Sequence, residues 1–381
     1  MNIVTLLQPP RIVFGNGCAP QCAGFMAQRG CRRVLLVSSS AVLPLLDAVA
    51  EGLKKSGVAV VTAPTVDQEP TLSLFETIRR FARRKQVDGV LGIGGGSVID
   101  VAKLTAALAG GKQTAAEVFG IDRLKGRELP LACLPTTAGT GAEVSPNAIL
   151  LDEKEMLKKG VVSPHLVPDA AFIDPLLTLS VPAEVTAATG LDALTHCIEA
   201  YANKFAHPIV DACALQGVKL ISANLLRAVR NGSDVEARAA LALGSLYGGL
   251  CLGPVNTAAV HALSYPLGGR FHVAHGVSNA VLLPHVLRFN CAAAPKRYAE
   301  ISRALGVVGN GSNRLTAEHG VKWLSGLSRN CGVPQKLSEF DIPRSAIPEL
   351  AKAAMSVTRL LNNNLRPLTE GDAVGIYEAA Y

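Results

Sequence analysis

The stretch Gly190-Leu191-Asp192-Ala193-Leu194-Thr195-His196-Cys197-Ile198-Glu199-Ala200-Tyr201 decides how this chain is read. It reads as a helix, and four-residue spacing sets the Asp192 carboxylate and the His196 imidazole on one face. Two more imidazoles follow, His261 in Val260-His261-Ala262-Leu263-Ser264-Tyr265 and His275 in Val273-Ala274-His275-Gly276. One carboxylate with three neutral imidazoles suits a borderline divalent cation, Fe(II) or Zn(II). On local spacing alone, Asp-x-x-x-His serves a hydrogen-bonded pair as readily as half a metal site, and both readings stand at that level.

Upstream of this helix the chain alternates short β-type runs with helical stretches. Strands are expected at Val34–Val37, Val58–Val61, Gly89–Ile93, Leu131–Leu134, Ala148–Leu151 and Ala170–Asp174, with helices at Leu43–Lys55 and Leu72–Lys85. That alternation predicts an α/β unit with a parallel sheet over residues 1–180. After Pro182, expected in a first helical turn, strand signals cease and helical periods run to the C-terminus, which predicts an all-helical unit over 181–381. Gly94-Gly95-Gly96-Ser97 follows a strand and opens a helix at Val98. Such a turn can seat a diphosphate on helix N-terminal amides, and a tight structural turn explains it equally well, because Ser97 stands where the dinucleotide fingerprint carries a third Gly or Ala. Thr136, Thr137 and Thr140 lie in a glycine-interrupted loop that by itself reads as a Ser/Thr turn.

Length and composition set the outer limits. At 381 residues, 49% hydrophobic and 18% charged, the chain fits two globular domains and is neither disordered nor fibrous. An aromatic content of 4% argues against a stacking platform for single-stranded nucleic acid. The net charge of +7 is scattered except at Arg79-Arg80 and Arg83-Arg84-Lys85, which read as a solvated helix face. Nine cysteines without a Cys-x-x-Cys pair, with Cys197, Cys213 and Cys251 in apolar helical runs, predict buried reduced thiols and a cytoplasmic setting. The segment Met1–Pro10 lacks the basic and apolar regions of a signal peptide. Ala239 to Gly269 is uncharged and long enough to cross a bilayer, but Pro254, Asn256, His261 and Pro266 break it, which predicts core helices and no membrane partner.

Taken together, the Gly190–Tyr201 stretch, His261-Ala262-Leu263, His275-Gly276-Val277-Ser278-Asn279-Ala280, Gly94-Gly95-Gly96-Ser97-Val98-Ile99-Asp100-Val101-Ala102-Lys103 and Pro135-Thr136-Thr137-Ala138-Gly139-Thr140-Gly141-Ala142-Glu143-Val144 resemble, in order, the iron-containing (group III) alcohol dehydrogenase family. The resemblance spans nearly the whole chain. It implies the dehydroquinate synthase-like fold: a dinucleotide-binding α/β domain followed by a helical metal-binding domain. It implies Asp192, His196, His261 and His275 as ligands of Fe(II), with Zn(II) as the alternative ion. It also implies hydride transfer between a small primary alcohol, or its aldehyde, and NAD or NADP, in a homodimer. Cofactor contacts are carried over to Gly95, Gly96, Ser97, Thr136, Thr137, Thr140, Asn147 and Lys158, while Asp100 is expected to fix the glycine turn and Lys103 to be structural.

Three departures shape these expectations. Tyr265 stands where many members have a second histidine, so a proton relay there is open, with His272 as the other candidate. Pro254-Val255-Asn256-Thr257 replaces a glycine-rich run, which reshapes the substrate pocket, and the uncharged Asn147, Leu252 and Thr257 favour a small alcohol over a dicarboxylate. Ser39 stands where NAD-preferring members carry an aspartate after the first buried strand, which predicts that NADP is accepted as well as NAD. A hydroxyacid-oxoacid transhydrogenase, a maleylacetate reductase-like enzyme and a nucleotide-binding regulator without turnover are the alternatives. The last would bind cofactor and react with nothing, so turnover of an alcohol panel discriminates.

Overall fold

The computed structural model describes residues 3–155, 157–309 and 311–381; Met1 and Asn2, at the head of the segment read for a leader, lie outside them. The chain divides into two compact units. One comprises Leu7–Thr137 with Gly141–Ser180, and the other comprises Val181–Tyr381 with Ala138–Thr140 and the residues before Leu7.

The α/β unit is built on six parallel strands. In chain order these are β1 (Arg11–Phe14), β2 (Arg33–Val37), β3 (Ala59–Thr62), β4 (Gly89–Gly94), β6 (Leu131–Pro135) and β9 (Ala170–Ile173), arranged β1-β9-β6-β4-β2-β3. The central β4 is buried at every residue, as a strand covered on both faces must be, and it reads as a continuous apolar and glycine run for that reason. Helices α1 (Gln21–Gln28), α2 (Asp47–Lys55), α3 (Leu72–Lys85), α4 (Gly96–Leu108) and the short α5 (Ala115–Val118) complete the unit. α3 buries Phe75, Ile78, Arg79 and Ala82, one stripe at helical spacing, and Thr71 caps it by accepting from the Leu74 amide.

Four expectations need correction here. The helix read over Leu43–Lys55 is a 3-10 turn, Leu43–Leu45, followed by α2; Pro44 suits a first turn, and Leu46 then leaves helical geometry before the chain re-enters it. The strand read over Ala148–Leu151 lies outside the main sheet. It is β7 (Asn147–Asp152), paired antiparallel with β8 (Leu157–Val162) in a three-stranded sheet with β5 (Gly120–Ile121). Pro182 is the N-cap residue of the helix it precedes, not part of its first turn. The arginine cluster is a solvated face at Arg80, Arg83, Arg84 and Lys85, and Arg79 is the exception. Arg79 is 5% exposed and donates to the carbonyls of Leu108, Gly111 and Gln113, while Arg83 donates to those of Leu108, Ala109 and Gly111. Those carbonyls lie at the end of α4 and in the turn that follows it, where helical partners run out, and two guanidinium forks on α3 satisfy them.

The helical unit opens with α6 (Ala183–Tyr201), followed by α7 (Pro208–Arg230), α8 (Val235–Leu252), α9 (Ala259–Phe271) and α10 (His275–Cys291), then further helices to Ala379. Every residue of α6 from Gly190 to Tyr201 is buried, so α6 is the axis around which the others pack. The uncharged run Ala239–Gly269 divides between α8 and α9, whose residues are mostly buried among neighbouring helices. α7 and α8 are long and apolar enough by length and composition to cross a membrane, and both bury a face in the same core. All nine cysteines are free, with Cys213 only half-buried against the expectation of burial.

Candidate functional site

Three helices bring the ligand-type side chains together. α6 supplies Asp192 and His196 one turn apart, α9 supplies His261, and the first residue of α10 is His275. Gly276 lets α10 begin against α6, because a Cβ there would run into the Ala188 carbonyl. Asp192 Oδ1 lies 3.6 Å from His261 Nε2 and 3.6 Å from His275 Nε2, and the donor atoms of these three residues all fall within 4.8 Å of one another. His196 joins through His261, the two Nε2 atoms being 3.0 Å apart with the rings stacked. Asp192, His196 and His261 are buried, whereas the His275 side chain is 29% exposed, which leaves one side of the cluster open.

Two further residues complete the centre, and neither was singled out from the sequence. Glu199, also on α6 and 4% exposed, accepts from the Val260 amide at 2.6 Å and meets His261 Nδ1 at 2.6 Å. A carboxylate can only accept, so Nδ1 carries the proton and Nε2 presents its lone pair to the cluster. Asn279 on α10 fits that tautomer: its Nδ2 donates to Asp192 Oδ1 at 2.7 Å and points at His261 Nε2 and His275 Nε2 at 3.1 and 3.3 Å. Both residues had a signal. Glu199 follows Asp192 by seven positions and His196 by three, and Asn279 follows His275 by four, so each shares a helix face with a ligand candidate.

These contacts test whether a cation fits. His196 Nδ1 is turned toward the Gly139 backbone without closing a hydrogen bond of normal geometry, so the Nε2 atoms of His196 and His261 face each other at a distance that two lone pairs tolerate only around a shared proton or a cation. Burial would raise the Asp192 carboxyl, but the surrounding imidazoles of His196, His275 and His261 hold it well below the usual carboxylate range. Burial would likewise depress His261, yet Glu199 and Asp192 carry it up to about 9, so without an ion a second proton takes Nε2, the lone pair a cation would otherwise use. His196, with desolvation dominating, is pushed down. A buried cluster that holds two carboxylates and draws a proton onto an imidazole calls for positive charge, and a divalent ion supplies it.

Tyr265 stands beside the open ligand, its ring centroid 6.1 Å from that of His275. His272 is exposed at the left-handed C-cap of α9, φ 55°, and among the described residues no hydrogen bond or ring contact joins it to the cluster. Leu252 and Thr257 are both buried.

In the α/β unit the glycine turn sits at the junction of β4 and α4. Gly92 and Gly94 are packing glycines: a Cβ on either would press into Ala102 or Val98 of α4 at 2.7 and 2.6 Å. Gly95 is different, since a Cβ there would meet only Thr137, at 3.5 Å, so the cradle before the helix N-terminus is open. Gly95, Gly96 and Ser97 are partly exposed around it, and Thr136 closes β6 against β4 by donating its amide to the Gly94 carbonyl at 3.0 Å. Asp100 does not fix this turn as expected: it accepts from the Ile149 amide at 3.0 Å and ties α4 to β7. Lys103 is fully buried and donates to the carbonyls of Ser145 and Asn147, both at 2.7 Å. Lys158 is paired with Glu69 at 2.9 Å, and Asn147 keeps a buried side-chain oxygen without a donor. Thr140 groups with the helical unit, and Ser39 sits partly exposed just beyond β2.

An open helix start at the carboxyl edge of a parallel sheet, joined in one chain to a carboxylate–imidazole cluster, describes a protein able to seat a phosphate-bearing ligand and a divalent metal. Comparison with known proteins identifies the class further. Residues 9–175 match the model of the iron-containing alcohol dehydrogenases, and residues 186–381 match that of the C-terminal domain of the same family. The chain is 40% identical over 389 residues to long-chain-alcohol dehydrogenase 1 of Geobacillus thermodenitrificans, covering 100% of this chain and 98% of the relative. It is 33% identical over 350 residues to the NAD-dependent methanol dehydrogenase of Bacillus methanolicus, covering 91% and 92%. The solved alcohol dehydrogenase from Oenococcus oeni superposes with a TM-score of 0.96 over all of both chains at 30% identity. This chain belongs to the iron-containing alcohol dehydrogenase family and is an alcohol or aldehyde oxidoreductase that uses a metal and a nicotinamide cofactor.

Proposed function

We propose that the protein is an Fe(II)-dependent, NAD(P)-linked dehydrogenase of small primary alcohols and their aldehydes, with Asp192, His196, His261 and His275 holding the ion. The observation that carries this reading is the facing pair of imidazole Nε2 atoms, 3.0 Å apart, beside an ionised and buried Asp192. Zn(II) suits the same donors. A divalent ion bound there supplies Lewis acidity, lowering the pKa of an alcohol or polarising an aldehyde carbonyl.

The residues of the chain do the rest. Glu199 holds the proton on His261 Nδ1, and Asn279 orients the Asp192 carboxylate, so the donor atoms are set before an ion arrives. His275 lies on the exposed side of the cluster, and Tyr265, whose ring neighbours it, is the relay candidate kept; His272 is assigned no step. Gly95, Gly96 and Ser97 offer α4 amides to the diphosphate, with Thr136, Thr137, Thr140, Asn147 and Lys158 as further cofactor contacts. Family membership and the free thiols support a cytoplasmic homodimer as its setting.

The relatives' names run from methanol to long-chain alcohols, and the uncharged Leu252 and Thr257 favour a neutral alcohol over a dicarboxylate. The test is a panel of alcohols of increasing chain length with NAD or NADP, followed by NAD(P)H absorbance, before and after chelator. Activity with small primary alcohols that chelator abolishes and Fe(II) restores is the expected outcome. Chelator-resistant turnover, or reaction with dicarboxylates alone, contradicts it.

A further inference from the structure

Three strand ends lie side by side in the α/β unit. β2 pairs with β4 through Val37 and Gly92, and with β3 through Leu36 and Thr62. The glycine turn leaves β4, Ser38–Ser40 leave β2, and the loop containing Thr65–Asp67 leaves β3. The ends are stitched together. Ser38 Oγ donates to the Ile93 carbonyl at 2.7 Å, and the Val66 amide donates to the Ser38 carbonyl at 3.0 Å. The Ser40 amide donates to Asp67 Oδ1 at 2.7 Å, and its hydroxyl donates to Oδ2 at 2.8 Å; the Thr65 hydroxyl donates to Oδ2 at 2.7 Å. Asp67 is exposed, and these bonds, from Thr65 first and then Ser40, lower its pKa, so it is anionic at neutral pH. Neither 38–42 nor 63–68 contains a lysine or arginine.

We propose that Asp67, on the loop after β3, selects NAD over NADP by supplying the carboxylate that position 39 lacks. The inference deepens the nicotinamide reading above and rests on it. A dinucleotide with its diphosphate at the α4 start lays its adenosine ribose over the neighbouring strand end, that of β2. Adjacent strands are about 4.8 Å apart, so a carboxylate from the next strand over sits well inside the screening length of about 8 Å at physiological salt. A 2′-phosphate brings nearly two negative charges to this spot and finds an anion with no cation in either loop. A 2′-hydroxyl instead finds an acceptor, because Oδ1 takes one hydrogen bond and keeps a lone pair. Ser39 alone leaves NADP open. The β3 loop closes that opening, through a contact that exists only once β2 and β3 pair.

The test uses the full-length, metal-loaded enzyme and its D67N variant, which keeps the shape of the side chain and can still accept from the Ser40 amide. Steady-state kinetics give kcat/KM with NAD and with NADP, and calorimetry gives affinities for ADP-ribose and 2′-phospho-ADP-ribose. D67N is expected to raise the NADP-to-NAD efficiency ratio by about ten- to a hundredfold, the size of a one- to two-decade charge repulsion, with the two ADP-ribose affinities converging in step. A ratio that stays within about twofold in both assays overturns the assignment and leaves Asp67 as a tie between loops. Should D67N fold poorly, the wild type measured at about 0.02 and 0.5 M salt decides instead: the discrimination narrows at high salt if a screened charge sets it, and a salt-independent ratio overturns the assignment. Failure of the wild type to bind either ADP-ribose overturns the nicotinamide reading itself, and the role of Asp67 with it.

Discussion

Replacing Glu199 with glutamine tests the idea that the metal donors are set from behind. Both Glu199 oxygens are engaged, one by the Val260 amide and one by His261 Nδ1, each at 2.6 Å. Glutamine has the same volume but only one acceptor. Its NH2 must then oppose either the Val260 amide or the His261 ring proton, and the ring can escape only by moving its proton to Nε2, the atom needed for the metal. One charge-assisted hydrogen bond in a buried setting is worth about 1.5 to 3 kcal/mol, so metal affinity should fall about ten- to a hundredfold. The assay is competition for Fe(II) or Zn(II) against a chromophoric chelator, with the melting temperature of the metal-free protein as a control for folding. An affinity within about threefold of wild type, in a variant whose metal-free form melts normally, refutes the reasoning.

Further outcomes are expected elsewhere in the chain. Arg79→Met removes the buried fork that serves the Leu108, Gly111 and Gln113 carbonyls, and should cost about 2 to 4 kcal/mol in urea unfolding, whereas exposed Arg80→Met should cost under about 0.5. Glu143, 2% exposed, is lifted to about 7 by burial, with its own backbone amide and Lys103 only partly offsetting it. A raised carboxyl stabilises the fold below its unfolded pKa, near 4.5, and that contribution is lost as pH rises through 7, so wild type should weaken across this window relative to Glu143→Gln, by on the order of 3 kcal/mol. Parallel pH profiles for the two proteins would contradict this.

Much of this was legible in the sequence because it depends on local spacing. Asp192 and His196 share a helix face at any tertiary arrangement, and the apolar stripe of α3 matched its boundaries at Leu72 and Lys85. What was not legible depends on pairing partners. β8 carries Lys158, Lys159 and Gly160, a polar run that becomes a strand because β7 lies antiparallel to it and Glu69 neutralises Lys158. Arg79 reads as surface charge because its partners are backbone carbonyls, which leave no mark in the side-chain pattern. Asp67 reads as an ordinary loop acid until β2 and β3 pair and bring it to Ser40. Glu199 and Asn279 are a different case. Their spacing from the ligand candidates was available, and asking what holds each imidazole's second nitrogen would have found Glu199.

The most direct measurement is the metal content of the protein and its His261→Ala variant after anaerobic loading with Fe(II) and desalting. The donor cluster predicts about one ion per chain in the wild type and a large loss in the variant, with alcohol-dependent reduction of the nicotinamide falling in proportion. A wild type that retains no ion yet turns over alcohols, or a variant that holds metal as well as the wild type, contradicts the assignment of Asp192, His196, His261 and His275 as the metal centre.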